Sequence, residues 1–559
     1  MKKILFILLA LLLVSSNIIS LASCDVYDDN TNSDYSEDDN DDNKDENEEE
    51  NAEEENEEEN DNQYADLIPS DGLEFTLSDD ETSYTVTGIG ECTDTDIVIP
   101  ATYEGLPVKQ ISNDAFSGYK AMTSIVLPNS ITTLESSTFS GCTNLSSIVL
   151  GSSLSVINDF AFWNCTSLTD ISIPNSVQHI SSSAFYGCTK LKYTEYKEGK
   201  YLGNKNNPYI ILMSIKDTTL TTYTINEKTK FIGDNVFYSC ENLIKITIPD
   251  SVIGIGQEVF GSSYFSACRR LANITLGKSL REIGDYTFAG CSSLKSVTIP
   301  DNVTSIGEGT FRSCTSLTSV VIPDSVTRIG DMAFSGCSSL TSVSIGKSVT
   351  RIGDMAFSGC SSLTSVVIGD SVTSIGKYAF ENCSSLTSVS IGKSVTSIGS
   401  DAFRYCHKLV EVYNLSSLDI TKGSYAYGFV GYYALNVYTP TSGESKLHTT
   451  TDGFVFYEDG NKCYLVGYIG NKTDITLPES YNGKNYEIYE HAFSDCDSLT
   501  SVVIGEGVTS IGYAAFYNCT SLTSIKYRGT EEEWNAISKG SYWDAYTGEY
   551  TITYNYTGE

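Results

Sequence analysis

The chain has 559 residues, 40% of them hydrophobic, and a formal net charge of -37. That charge argues against nucleic acid or an anionic membrane surface as a partner, since both require clustered Lys and Arg. The length is too great for one globular core, whereas a stack of repeated units grows without that limit.

Residues 1–24 begin with Lys2 and Lys3, continue through the apolar run Ile4 to Val14 and end in small residues, the layout of an export signal. Eleven apolar residues are too few to span a bilayer. The closing residues Leu21, Ala22, Ser23 and Cys24 resemble a bacterial lipobox. The resemblance implies that Cys24 is acylated and becomes the new N-terminus, anchoring the chain in a membrane at about 0.8 kcal/mol per buried CH2. The plainer alternative is a secretion signal with an incidental Cys.

Residues 25–66 hold 22 acidic residues and one Lys, so this stretch carries -21 of the total charge. With almost nothing apolar to bury, it is expected to be a disordered linker, extended by its own repulsion. Its 42 residues reach at most roughly 140 Å. A cation-binding tail is the alternative, but the spacing of a calcium loop is missing.

Residues 67–415 form the expected N-terminal cap and main array. Leu73 to Pro100 alternates polar and apolar residues between Asp-rich turns and reads as short capping strands. Beyond it a 23-residue unit recurs, clearest as LTSVSIGKSVTRIGDMAFSGCSS from Leu340, with further copies from Leu363 and Leu386. A strict period of this size signals a solenoid. In one copy the apolar residues are Leu340, Val343, Ile345, Val349, Ile352, Ala356, Phe357 and Cys360, with no helical stripe. The spacing therefore predicts two extended arms and one helical turn per coil, a mainly β solenoid whose parallel strands stack like residues into ladders about 4.8 Å apart. Burying each such side chain is worth roughly 1.5 to 3 kcal/mol, so a coil is stable only against its neighbours. The gap from Cys188 to Cys240 exceeds two periods by six residues and predicts a hairpin-like excursion. Five extra residues between Phe260 and Cys268 predict a loop.

The pattern dissolves in the Tyr-, Gly- and Ser-rich connection 416–451. A second cap-like start and short array follow at 452–528, then a closing cap at 529–559 with a short helix at 531–537.

Of 16 cysteines, 13 occupy the same place in the coil, three residues after the Phe. They are expected to be free, buried thiols donating weakly to backbone carbonyls. No paired Cys or His spacing suits zinc, and four His stand alone at His179, His407, His448 and His491. Catalytic and phosphate-cradling motifs are missing, so no cofactor and no enzymatic activity is expected. Gly330, Gly353 and Gly376 are expected to mark turns with φ > 0.

Alternation turns Ser342 and Ser344, Ser365 and Val367, Ser388 and Ser390 outward, giving a flat surface of small uncharged residues. It suits weak contact with an extended polymer or protein over many coils, and equally a plain soluble sheet. Departures from the pattern are the better binding candidates: Asp170, Lys245, Glu411 and Tyr413 on the same strand positions, and the tyrosines from Tyr425 to Tyr433.

The unit as it stands in LKSVTIPDNVTSIGEGTFRSC, from Leu294, resembles the BspA-like, Treponema-type leucine-rich repeat family of bacterial surface proteins. The resemblance implies a leucine-rich-repeat solenoid or horseshoe, display on the cell surface and, in some members, adhesion. The expected partners are host or neighbouring-cell surface proteins or glycans, with the chain a monomer. A structural surface spacer or envelope protein without a specific ligand is the alternative. The family has no fixed binding residues to carry over.

Overall fold

In the computed structural model, which describes residues 67–262, 268–439 and 444–558, the 23-residue unit is one coil, in most copies with two short strands. Cys24 and the acidic stretch lie outside the described residues, as do the residues of the loop 263–267. In the coil from Leu340 the strands are Ser342–Ser344 and Arg351–Ile352. The first pairs in parallel with Ser319–Val321, the second with Arg328–Ile329 and Ser374–Ile375, each residue facing its counterpart one period away.

Leu340, Val349, Ile352, Phe357 and Cys360 are fully buried. Stacking repeats them as columns. From Phe237 to Phe403 every successive pair of Phe rings lies stacked with centroids 5.1 to 5.3 Å apart. The thiols close the coils as expected: Cys337 Sγ donates to the Phe311 carbonyl at 3.1 Å and Cys360 Sγ to that of Phe334 at 3.3 Å. Burial pushes the Cys337 thiol up to about 12. The described cysteines are free, Cys92 and Cys463 included.

Two expectations need correction. The helical turn is a 3-10 helix at Ser182–Phe185, but the other coils carry a non-helical bend. Met332 and Met355 there have φ 55°, which no right-handed helix tolerates. The bend divides its N–H groups alternately: Ser335 and Cys337 donate to Met332 and Phe334 within the coil, while Phe334 and Gly336 donate to Ala356 and Ser358 in the next. A helix would keep all of these bonds inside one coil. The second correction concerns Gly330, Gly353 and Gly376, which do not have positive φ; Gly336 and Gly359 do. A Cβ on Gly353 would come within 2.6 Å of backbone atoms of Gly330 and Asp331, and one on Gly376 within 2.5 Å of Gly353. These glycines are there because adjacent backbones touch.

Runs of coils begin with antiparallel hairpins. Glu74–Leu77 pairs with Tyr84–Gly88, Gly199–Leu202 with Ile211–Ile215, and Phe454–Asp459 with Lys462–Tyr468. The second strand of each hairpin then pairs in parallel with the first coil of its run. A hairpin thus covers an edge that would otherwise expose unpaired backbone groups. The middle hairpin is the expected excursion after Cys188, and His179 Nδ1 bonds Glu282 Oε2 at 2.9 Å between coils on its two sides. At the far end the helix Glu531–Ala536 has a capping box between Thr530 and Glu533 and buries Trp534, and Thr551–Thr553 pairs with Ser524–Tyr527.

Candidate binding surface where the repeat breaks

The outward column is as flat as the alternation predicts, with Ser342, Ser344, Ser296 and Thr298 exposed, and Val321 and Val367 also open. Asp170 and Lys245 are exposed on this face but belong to different coils and do not form one site.

Glu411, expected outward, is 1% exposed. The chain that leaves its strand Glu411–Asn414 returns and pairs alongside it as Asn436–Tyr438. A buried carboxylate must be satisfied by donors. Here it accepts from the hydroxyls of Tyr413 at 2.8 Å, Tyr438 at 3.0 Å and Ser445 at 2.8 Å, and from the Lys446 N–H at 2.7 Å. Tyr413 stacks on Tyr438 with centroids 4.7 Å apart, and burial pushes its hydroxyl up. Both residues are thus taken up in a latch that ties the connection down. Beside it Val410 packs with Val455, Tyr457 and Val466, joining the end of the first array to the start of the second.

Tyr425 and Tyr433 fall in a different assembly. Tyr425 contacts Tyr432 at 4.5 Å between centroids and Phe429 at 5.3 Å; Tyr432 contacts Tyr433 at 4.6 Å, and Tyr433 contacts His407 at 4.9 Å. His407 stacks on His491 of the second array at 3.9 Å, and the series continues to Tyr513 at 5.4 Å and Tyr542 at 6.0 Å. Tyr405, under the Arg404 guanidinium, joins at His407. The rings make one unbroken strip across the junction. Its ends are open, with Tyr425 and Tyr542 each 64% exposed and Tyr513 46%, while Tyr432, Tyr433, His407 and His491 in the middle are half-buried.

At its centre the two imidazoles have buried Nδ1 atoms without hydrogen-bond partners. Burial lowers His407 to about 4, and burial together with His407 lowers His491 to about 3. Both rings are therefore neutral near pH 7 and act as flat aromatic surface.

Sequence reasoning passed over Tyr405, Tyr513, Tyr542 and the two His. A signal existed for the first. Tyr405 stands where Gly359 and Gly336 stand two and three coils earlier, and it keeps the left-handed backbone at φ 61°. A bulky residue there costs on the order of 1–2 kcal/mol, and strain of this kind collects at functional sites. The His pair gave none, since 84 residues separate positions 407 and 491.

Flat rings, phenolic hydroxyls and few charges suit stacking and hydrogen bonding. Among the described residues no group of three or more His, Cys, Asp or Glu is placed to hold a metal ion.

The family model for the BspA type leucine rich repeat region matches residues 91–206, 213–338, 304–428 and 467–552. Among solved structures, a leucine rich cell surface protein from Faecalibacterium prausnitzii is 28% identical; the match covers 62% of this chain and 94% of that one, with TM-score 0.27. A leucine-rich repeat protein from Bacteroides ovatus is 24% identical over 67% of this chain and 100% of its own, with TM-score 0.33. The leucine rich repeat protein of T. pallidum is 22% identical over 49% and 90%, with TM-score 0.21. No curated protein gives a significant match.

Proposed function

The chain belongs to the BspA-type leucine-rich repeat family, and from that premise we propose that it is a non-catalytic, adhesin-like binding protein displayed on a bacterial cell surface. Cys24 would carry the lipid anchor and residues 25–66 would hold the array clear of the envelope. The partner would be a surface protein or glycan of a host or neighbouring cell.

The observation that carries this reading is the aromatic strip from Tyr425 through the half-buried His407 and His491 to Tyr542, open at Tyr425, Tyr513 and Tyr542. On their outer face the regular coils present small hydroxyl residues such as Ser342 and Ser344. Tyr at a surface brings large, rigid contact area with a polar tip. The alternative, a spacer without a ligand, draws on the flat hydroxyl face of the regular coils.

The test is binding of the purified chain to immobilised matrix proteins, glycans and whole cells, compared with a Tyr425→Ser, Tyr513→Ser, Tyr542→Ser variant of unchanged melting temperature. Saturable binding that weakens at least about tenfold in the variant is expected, since aromatic contacts dominate interface energies. Absence of saturable binding would leave the spacer reading standing.

A further inference from the structure

A second break in the repeat lies far from the tyrosines. In the regular coils a threonine ladder runs beside the sheet: Thr318 Oγ1 donates to the Lys295 carbonyl at 3.3 Å, Thr341 to Thr318 at 3.0 Å and Thr387 to Thr364 at 3.1 Å. In the three coils before Thr318 that position holds Ile244, Ala272 and Lys295, so the ladder stops. The neighbouring turn changes with it. Arg269 and Arg270 stand where later coils carry Ser292 and Ser293, or Ser338 and Ser339, and Lys245 stands where they carry Ser296 or Ser319.

Around the small Ala272 lies an open depression of about 370 Å³, lined by Ile244, Arg270, Ala272, Ser293, Lys295 and Ser316. Arg270 Nη1 donates to Asn242 Oδ1 at 3.1 Å, which steadies the guanidinium at the rim. Lys245, Arg269, Arg270 and Lys295 are all exposed, and none forms an ion pair among the described residues. The acidic side chain nearest in register is Glu241, one coil before Arg269 at the same place in the turn. Four unneutralised cations within three coils of a chain with net charge -37 are a local reversal of sign.

We infer that this depression binds an acidic saccharide, with carboxylate or sulfate groups held by Arg270 and Lys295. Guanidinium and ammonium groups without an ion-pair partner are the donors such anions need. The volume falls in the range of small-ligand sites, about 300 to 1,000 Å³. Ile244 and Ala272 offer an apolar floor for the face of a sugar ring, and Ser293 and Ser316 offer hydroxyl partners. Lys245 and Arg269 extend the positive charge to further acidic groups along a polymer. This site is separate from the tyrosine strip and stands or falls without it.

The test is heparin binding by the full chain at low and high salt, alongside an Arg270→Ser, Lys295→Thr variant that restores the residues of the regular coils and so preserves the fold. The wild type should bind in a salt-sensitive way, desulfated heparin should bind more weakly, and the variant should lose at least about tenfold in affinity with an unchanged melting temperature. The tyrosine variant above should bind heparin as the wild type does. Equal binding by wild type and the Arg270 and Lys295 variant would overturn the inference, and so would poly-glutamate bound as tightly as heparin.

Discussion

Replacing Phe357 with Ala tests the ladder where it is most regular. The ring is fully buried and lies stacked between Phe334 and Phe380, both at 5.2 Å between centroids. Truncation removes its transfer energy, leaves a cavity that flanking backbones cannot close and breaks two ring contacts, for a loss of about 3 to 5 kcal/mol. Phe116 provides an internal comparison. It is as buried but begins its ladder, with a ring partner only at Phe139, 5.6 Å away. Phe116→Ala should therefore cost less by roughly one ring contact, about 0.5 to 1.5 kcal/mol. Because each coil is held by its neighbours, the damage from Phe357→Ala should be local. Limited proteolysis with mass-spectrometric mapping should show new cleavage in the coils around residue 357 under conditions where the wild type resists, alongside a lower urea midpoint. The exposed substitution Ser342→Ala is the control. If Phe357→Ala were no more protease-sensitive than Ser342→Ala, the stacked-coil reasoning would be refuted.

Glu411→Leu should strand the hydroxyls of Tyr413, Tyr438 and Ser445, each bond to the carboxylate being worth about 1.5 to 3 kcal/mol; the expected readout is proteolytic release of residues 436–447, with uncut chain as the contrary result. The ladder thiols, pushed up by burial as at Cys337 and Cys142, both to about 12, should stay unlabelled by maleimide in the native chain, half-buried Cys496 reacting first, and prompt labelling of several would contradict the packing. For the junction, the sign follows from the folded state holding His407 near 4 and His491 near 3 against 6.5 in the unfolded chain. The unfolded chain then binds more protons below pH 6.5 or so, so stability is complete above that pH and falls as pH drops toward about 4. Asp495 faces both rings and offsets part of this, while Lys408 adds to it. A His407→Phe, His491→Phe variant should lose less melting temperature than the wild type between about pH 7 and about pH 4.5; parallel losses would contradict the buried pair.

The fold was legible because the repeat is written in single residues: Leu340, Ile352, Phe357 and Cys360 recur at one spacing and land in one core. Local features that depend on neighbouring backbones were less legible. Gly353 looks like a turn residue in the sequence, yet its reason is contact with a coil that only stacking brings near. Glu411 occupies the outward register of Ser388, and nothing in its own coil shows that Asn436–Tyr438, Ser445 and Lys446 return to cover it. The tyrosines from Tyr425 to Tyr433 were recognisable as a departure from the pattern. Their continuation through His407 and His491 to Tyr542 was not, because it forms only when the second array docks on the first.

Central to this account is that regular coils are interchangeable spacers and that recognition resides where the repeat breaks. Deleting the one coil Leu363 to Ser385, 23 residues in register, and measuring binding of the shortened chain to cells and heparin tests this most directly. The account predicts cooperative unfolding and affinities equal to those of the full chain. A folded deletion protein that had lost both activities would contradict it.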